Sequence, residues 1–361
     1  MHDVALHPRQ TSTRTEPERL FAVDPLHQGT WEALLDTHAE SSFFHGTAWA
    51  RVLHETYGHQ PVYFCRVASG RLEQLLPIMQ VSSPLTGRRG VSLPFTDYCQ
   101  PLRTNAGNRG ALYELALQEG RQRGWKYLEC RGGPGGWEGA SPSLAFYGHV
   151  LALQRGPQAL FESFDGATRR GIRKAEREGL HVEFGDSLDS IRDYYALHCR
   201  TRRRHGLPPQ PFRFFRNIAR FVLAPGQGFV ATAWLAQRPL ASAVFFHRGA
   251  EVICKFGASD HAFQHLRPTN LVMWESIKRC LANGFGSLHL GRTSLLNEGL
   301  RRFKLGFGAQ EQRIEYCKFD FAAGAFVTDV DRAQTRFNCL FRRLPLPLLR
   351  LAGAMLYPHV S

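Results

Sequence analysis

The sequence has no stretch approaching the roughly 18 consecutive apolar residues that a membrane-spanning helix needs. The nearest, LPLPLLRLAGAMLYPHV at residues 344–360, is interrupted by Pro345, Pro347 and Arg350. It reads as a C-terminal helix that either docks on the protein or grazes a membrane surface. None of the eight cysteines pairs at CxxC spacing, and most lie in apolar runs such as EVICKFG around Cys254. They read as reduced, buried thiols of a cytoplasmic protein. The opening MHDVALHPRQTSTRTEPERL lacks the apolar segment of a signal peptide, so residues 1–19 are expected to be a flexible tail. No heptad run occurs anywhere.

Acidic residues are also scarce. Asp plus Glu number 31 against 45 Lys plus Arg, a formal charge of +14, which favours an anionic partner such as nucleic acid, nucleotide or lipid headgroup. With 43% hydrophobic and 21% charged residues, the 361-residue chain can build a large core, and wholesale disorder is excluded. Its length suits about two domains.

Several catalytic signatures are missing. In HETYGH the two histidines, His54 and His59, are five apart, whereas a zincin needs i and i+4 on one helical face. The glycine loop in RGGPGGWEGASPS (131–143) lacks the GK[ST] of a phosphate-binding loop, and FGASD around Ser259 is no G-x-S-x-G elbow. No metal site, resident cofactor or serine nucleophile is expected.

What is present is a repeat. ALYELALQEGRQRGWKYLECR (111–131) and LVMWESIKRCLANGFGSLHLGR (271–292) each read as an amphipathic helix, a glycine, an aromatic residue and a short strand. The offset that pairs Gly124 with Gly284 also pairs Trp125 with Phe285 and Leu128 with Leu288. Upstream of each helix lies a hairpin pattern, turning at Ser69-Gly70 in the first half and near Arg238-Pro239 in the second. The chain therefore reads as a duplicated α/β unit, with domains over 20–150 and 151–325 and a helical tail over 326–361. RRGIRKAEREG (169–179) and SIRDYYALHCRTRRRHG (190–206) read as two basic helices opening the second domain. Their Arg170, Arg173, Lys174, Arg202, Arg203 and Arg204 are candidates for binding a polyanion, or form plain solvated faces. PFRFFRNIARF (211–221) reads as a helical core stripe rather than a base-stacking platform.

The most informative stretch is 256–310. A strand ends at Phe256-Gly257, a loop follows, and a helix begins near Thr269-Asn270, a passage where helix N-terminal amides meet anionic ligands. A second strand, SLHLGRTS, ends at Arg292, and Lys304 follows in a glycine-rich turn, FKLGFG. The order suggests that Lys304, Arg292 and Asn270 converge on one cleft. The loop PFTDY brings Asp97 and Tyr98, suited to substrate hydrogen bonds or to a capped structural turn.

Six segments resemble, in order and spacing, the FemAB-like branch of the GNAT superfamily. They are FFHGTAW (43–49), SLPFTDYCQPL (92–102), RRGIRKAEREG, KFGASD (255–260), RPTNLVMWE (267–275) and GRTS…NEGLRRFKLGFGA (291–309). The chain is most similar to FemAB-type proteins of proteobacterial exopolysaccharide and envelope gene clusters, over about residues 25–320. The resemblance implies an α/β (α+β) fold of two tandem GNAT-like domains, each a mixed, mostly antiparallel sheet flanked by helices. It also implies transfer of an acyl or aminoacyl group to an amine, with aminoacyl-tRNA as donor and a nucleotide- or lipid-linked envelope precursor as acceptor. The family's Phe-Lys pair falls on Phe303-Lys304, giving Lys304 the task of stabilising phosphate or the oxyanion that develops during attack on an ester. Phe256 stands where the family has a tyrosine, and the cation nearest to Trp49 is Arg51, where a lysine is expected. Acyl-CoA remains an alternative donor, although Pro268 removes an amide from the CoA-binding junction. A non-enzymatic, polyanion-binding role in envelope assembly is a further alternative.

Overall fold

The computed structural model describes residues 19–103, 110–133, 137, 139–329 and 338–360, so most of the expected N-terminal tail lies outside the described residues. Among the described residues, fourteen strands form one sheet. In the N-terminal half these are β1 (Arg19–Val23), β2 (Gln60–Ala68), β3 (Arg71–Ser83), β4 (Gly87–Val91), β5 (Leu102–Arg103), β6 (Trp125–Arg131) and β7 (Pro142–Ala152). The C-terminal half adds β8 (His181–Gly185), β9 (Gly228–Leu235), β10 (Arg238–Arg248), β11 (Glu251–Ser259), β12 (Ser287–Ser294), β13 (Gln310–Asp320) and β14 (Ala325–Phe326). The helices are α1 (Trp31–Leu35), α2 (Thr47–Tyr57), α3 (Ala111–Gln122), α4 (Pro157–Ser163), α5 (Gly166–Arg177) and α6 (Leu188–His205). They continue with α7 (Phe212–Ile218), α8 (Pro268–Ala282), α9 (Glu298–Leu305), α10 (Asn338–Arg343) and α11 (Leu346–Leu356).

The repeat seen in the sequence is a repeat of topology. β2 and β3 form a hairpin, β4 runs antiparallel to β3, and α3 crosses over so that β6 lies parallel to β4. β9, β10, β11, α8 and β12 repeat that order, with β12 parallel to β11. Both crossover helices stop at a glycine in the left-handed region, Gly124 (φ 66) and Gly284 (φ 74), a conformation that a Cβ disfavours. The remaining strand pairs are antiparallel, as expected for this architecture. The first hairpin turns at Ser69-Gly70, both with positive φ. The second turns at Ala236-Gln237, immediately before Arg238-Pro239. Pro239 sits beside a register shift in β10, the kind of irregularity at which strands accept proline.

The central order β6-β13-β7-β12 joins the halves. β13, from the C-terminal half, lies between β6 and β7 and is antiparallel to both. The expected division at residue 150 falls inside β7, whose partners β12 and β13 both come from the C-terminal half.

Successive residues of the strands feed opposite cores. Phe246 joins Trp49, Tyr194, Phe214 and Phe215 in a core that both halves share. Its neighbour Phe245 joins Phe164, Trp274, Ile277 and Phe307 under α5 and α8. Phe64, Leu76, Tyr113 and Trp125 build a third core under α3. The stripe in α7 is core, as its spacing suggests: Phe214 and Phe215 are fully buried.

Candidate active site

β11 and β12 pair only at Glu251–Ile253 against Ser287–His289. Beyond that point β11 follows β10 while β12 follows β7. A cleft of about 620 Å³ lies where the two strands separate. Cys254, Lys255, Gly291 and Arg292 line it from the strands, Asn270 and Met273 from α8, and Phe303 and Lys304 from α9. Thr201 and Arg204 come from α6, and Asp97 reaches in from the loop after β4.

Lys304 lies in the last turn of α9 rather than in the following glycine turn. That helix is capped by Asn297, whose side chain accepts from Leu300 N at 3.1 Å. Its far end is seated against the start of α5, because a Cβ on Gly306 would lie 2.5 Å from Thr168 Oγ1 and 2.7 Å from Asp165 Oδ2. So held, Lys304 is 6% exposed and donates from Nζ to the carbonyls of Gly291 (2.8 Å) and Arg292 (3.0 Å). An ammonium has three donors, so one N–H remains for a ligand. Burial lowers its pKa from 10.5 to about 8, against the opposing pull of Asp97.

A second lysine lies beside it. β11 carries one extra residue opposite the Val244/Phe245 step of β10, and that residue is Lys255. Its Nζ donates to Asp97 Oδ1 at 3.1 Å, with side-chain exposures of only 6% and 14%. Burial pushes the Asp97 carboxyl up, but Lys255, Arg292 and His289 outweigh it and hold the group below its usual range. Burial likewise lowers the Lys255 ammonium, opposed by Asp97. Arg292 completes the support: it donates to Tyr316 Oη at 2.6 Å, and that hydroxyl donates to the Asp97 carbonyl at 2.5 Å. Arg292 also stacks on Phe146, 4.3 Å from the ring centre, so its guanidinium is engaged in structure while its backbone carbonyl meets Lys304.

α8 enters the cleft through Arg267 in the left-handed region (φ 62), followed by Pro268 at its first position. Pro268 carries no N–H, and those of Asn270 and Leu271 donate back to the Arg267 carbonyl. This helix end therefore offers a pyrophosphate few amides. Cys254 faces the cleft too, but burial raises its thiol to about 12, far from a nucleophilic thiolate.

Residues 163–311 match the family model of an acetyltransferase (GNAT) domain. Among solved structures, the crystal structure of FemX aligns with a TM-score of 0.64 at 13% identity, over 79% of this chain and 94% of FemX. The fold is one that this chain shares with FemX. A tandem GNAT protein from the clavulanic acid biosynthesis pathway aligns at 0.55 and 12% identity, over 84% of this chain and 98% of its own. L-PGS from Bacillus licheniformis aligns at 0.53 and 14% identity, over 92% and 97%. The search among curated proteins returns no match for this chain.

Within this fold, five expected residues meet at the cleft: Lys304, Phe303, Arg292, Asn270 and Asp97. Two do not. Phe256 packs among Phe214, Phe215 and Phe246 in the shared core, and Tyr98 stacks on His289 with ring centres 5.4 Å apart, outside the cleft. Arg51 lies beside Phe221, also away from it. Of the basic residues, Arg204 lines the cleft, while Arg203 joins it, Arg200 and Arg342 around an adjoining hollow of about 350 Å³. Arg202 is tied into structure through Pro208 O and Tyr357 Oη. Arg170, Arg173 and Lys174 lie on α5 outside the cleft, with Arg170 and Arg173 exposed. Lys255 is the residue that sequence reasoning passed over. Its one signal is a lysine that interrupts the uncharged run VICKFG (252–257).

Proposed function

We propose that the chain is a FemAB-like acyltransferase that moves an aminoacyl group from aminoacyl-tRNA to an amine of a cell-envelope precursor. The observation that carries this is Lys304: a buried cation, fixed by two carbonyls, with one donor left in a large cleft rimmed by Arg204. The acceptor amine attacks the ester carbonyl carbon, and a C–N bond forms as the oxygen becomes an oxyanion. The oxyanion accepts from Lys304; on collapse, the C–O bond to the tRNA ribose breaks and the amine's proton leaves with that oxygen or to water. The transfer is direct, in a ternary complex; the raised Cys254 thiol favours this over an acyl-enzyme. No resident cofactor is needed.

Arg200, Arg203, Arg204 and Arg342 surround the hollow next to the cleft and suit a polyanionic donor. Acyl-CoA would enter the same cleft from the α8 side, and the sparse amides at Pro268 weigh against it. A non-enzymatic polyanion binder would use the arginines and leave Lys304 without a task. The test is to follow labelled amino acid from charged tRNA into nucleotide- and lipid-linked precursors. Label in the precursor, dependent on Lys304, supports the reading. Label that stays on tRNA while acetyl-CoA is consumed overturns it.

A further inference from the structure

From α11 and its surroundings we infer that the chain docks on the surface of an anionic lipid bilayer. α11 is apolar on two faces. One is buried: Leu349 is fully covered, and Gly353 passes so close to the loop below that a Cβ would meet Pro209 O at 1.9 Å. Tyr357 closes this contact, donating to Pro208 O and accepting from Arg202. The 3-10 turn after it is held as well, with His359 bonded to Ser83 and its carbonyl accepting from Arg89. The helix is therefore anchored at both ends.

Its other face looks outward. Leu348, Leu351 and Met355, at i, i+3 and i+7, are 53%, 58% and 65% exposed. Leu340 and Leu356 in the same segment are exposed too. Val360 and Leu85 extend the patch, Leu85 on the β3–β4 hairpin whose Ser83 and Thr86 touch His359. Most of the exposed large apolar side chains among the described residues thus gather in one region, where monomer surfaces scatter them singly.

The charge around this patch selects its occupant. Residues 338–360 contain no Asp or Glu, and their Arg342, Arg343 and Arg350 are all exposed. An apolar stripe with a cationic margin fits the headgroup layer of an anionic leaflet, where leucines enter the acyl boundary and arginines meet phosphates. A second copy would bring the same arginines face to face across a two-fold axis. Among the described residues no helix is long and apolar enough to cross a membrane, so the contact is a surface one. α6 links the patch to the cleft, since Arg202 holds Tyr357 and Arg204 lines the cleft. A docked chain would hold its cleft at the bilayer surface, which suits a lipid-linked acceptor; this last step alone rests on the proposed transfer.

The test needs neither donor nor acceptor. The full chain is sedimented with vesicles of phosphatidylcholine alone, or with roughly a third of the lipid replaced by phosphatidylglycerol. Binding to the anionic vesicles only is expected, and the double variant Leu351→Glu/Met355→Glu should weaken it about tenfold or more. An environment-sensitive dye on the exposed Cys339 gives a readout on the unmutated chain, shifting to shorter wavelength with anionic vesicles. No sedimentation and no dye shift with anionic vesicles overturns the inference, as does undiminished binding by a folded double variant. A wild-type dimer that the same variant splits would assign the patch to a second copy instead. Membrane binding without amino-acid transfer would leave the docking surface standing and refute only the reaction.

Discussion

Asp97, in the loop after β4, and Lys255, at the bulge in β11, form an ion pair at 3.1 Å across 158 residues of chain, at the point where the two halves meet beside Lys304. Both side chains are nearly buried, so removing one partner leaves an uncompensated charge in a low-dielectric site. Asp97→Leu is expected to cost about 3–5 kcal/mol of stability. The double variant Asp97→Leu/Lys255→Met should recover much of that loss. Denaturant unfolding of the two singles and the double measures the coupling.

Lys304→Met removes the cation but keeps most of the packing. Turnover is expected to fall about 10²–10³-fold, the usual cost of losing one oxyanion donor, with donor affinity little changed. Single-turnover transfer compared with donor binding separates the two effects.

The reaction should also lose rate as pH rises past about 8, because Lys304, lowered by burial, gives up its proton there. The stability effect has the opposite sense. Between about 8 and the usual 10.5 the folded chain binds fewer protons at this site than the unfolded one. The wild type therefore gains stability relative to Lys304→Met as pH climbs through that window. A pH–rate profile and paired unfolding curves check both signs.

Much of this was legible in the sequence because it is local. The helix–glycine–aromatic–strand pattern at Gly124 and Gly284 reports a helix end and a crossover within a few residues of itself. Lys304 could be placed near Arg292 because the strand and the following helix are adjacent in the chain. Lys255, which the sequence leaves unremarked, and Phe256, assigned through the family's tyrosine position, owe their actual places to one shared cause. Counting by twos from Cys254, Phe256 would face the cleft; the extra residue Lys255 reverses the alternation, sending Phe256 into the core and Lys255 to Asp97. Nothing within EVICKFG announces that bulge.

The basic residues should separate by function. Arg204→Ala is expected to weaken polyanion binding and lower its salt slope by about one, as for a lost phosphate contact. Arg202→Ala should leave that slope alone and reduce stability, because its guanidinium holds Pro208 O and Tyr357 Oη. A salt titration and a thermal melt of each variant distinguish them.

The measurement that bears most directly on the reading is equilibrium binding of charged tRNA, uncharged tRNA and acetyl-CoA across a salt series, with Lys304→Met alongside. Counterion release makes non-specific polyanion binding collapse as salt rises. A preference for charged over uncharged tRNA that survives physiological salt, with acetyl-CoA failing to saturate, is the predicted result. Saturable acetyl-CoA binding, with only salt-labile binding of either tRNA, would contradict it and make the arginines around Arg204 an ordinary solvated surface.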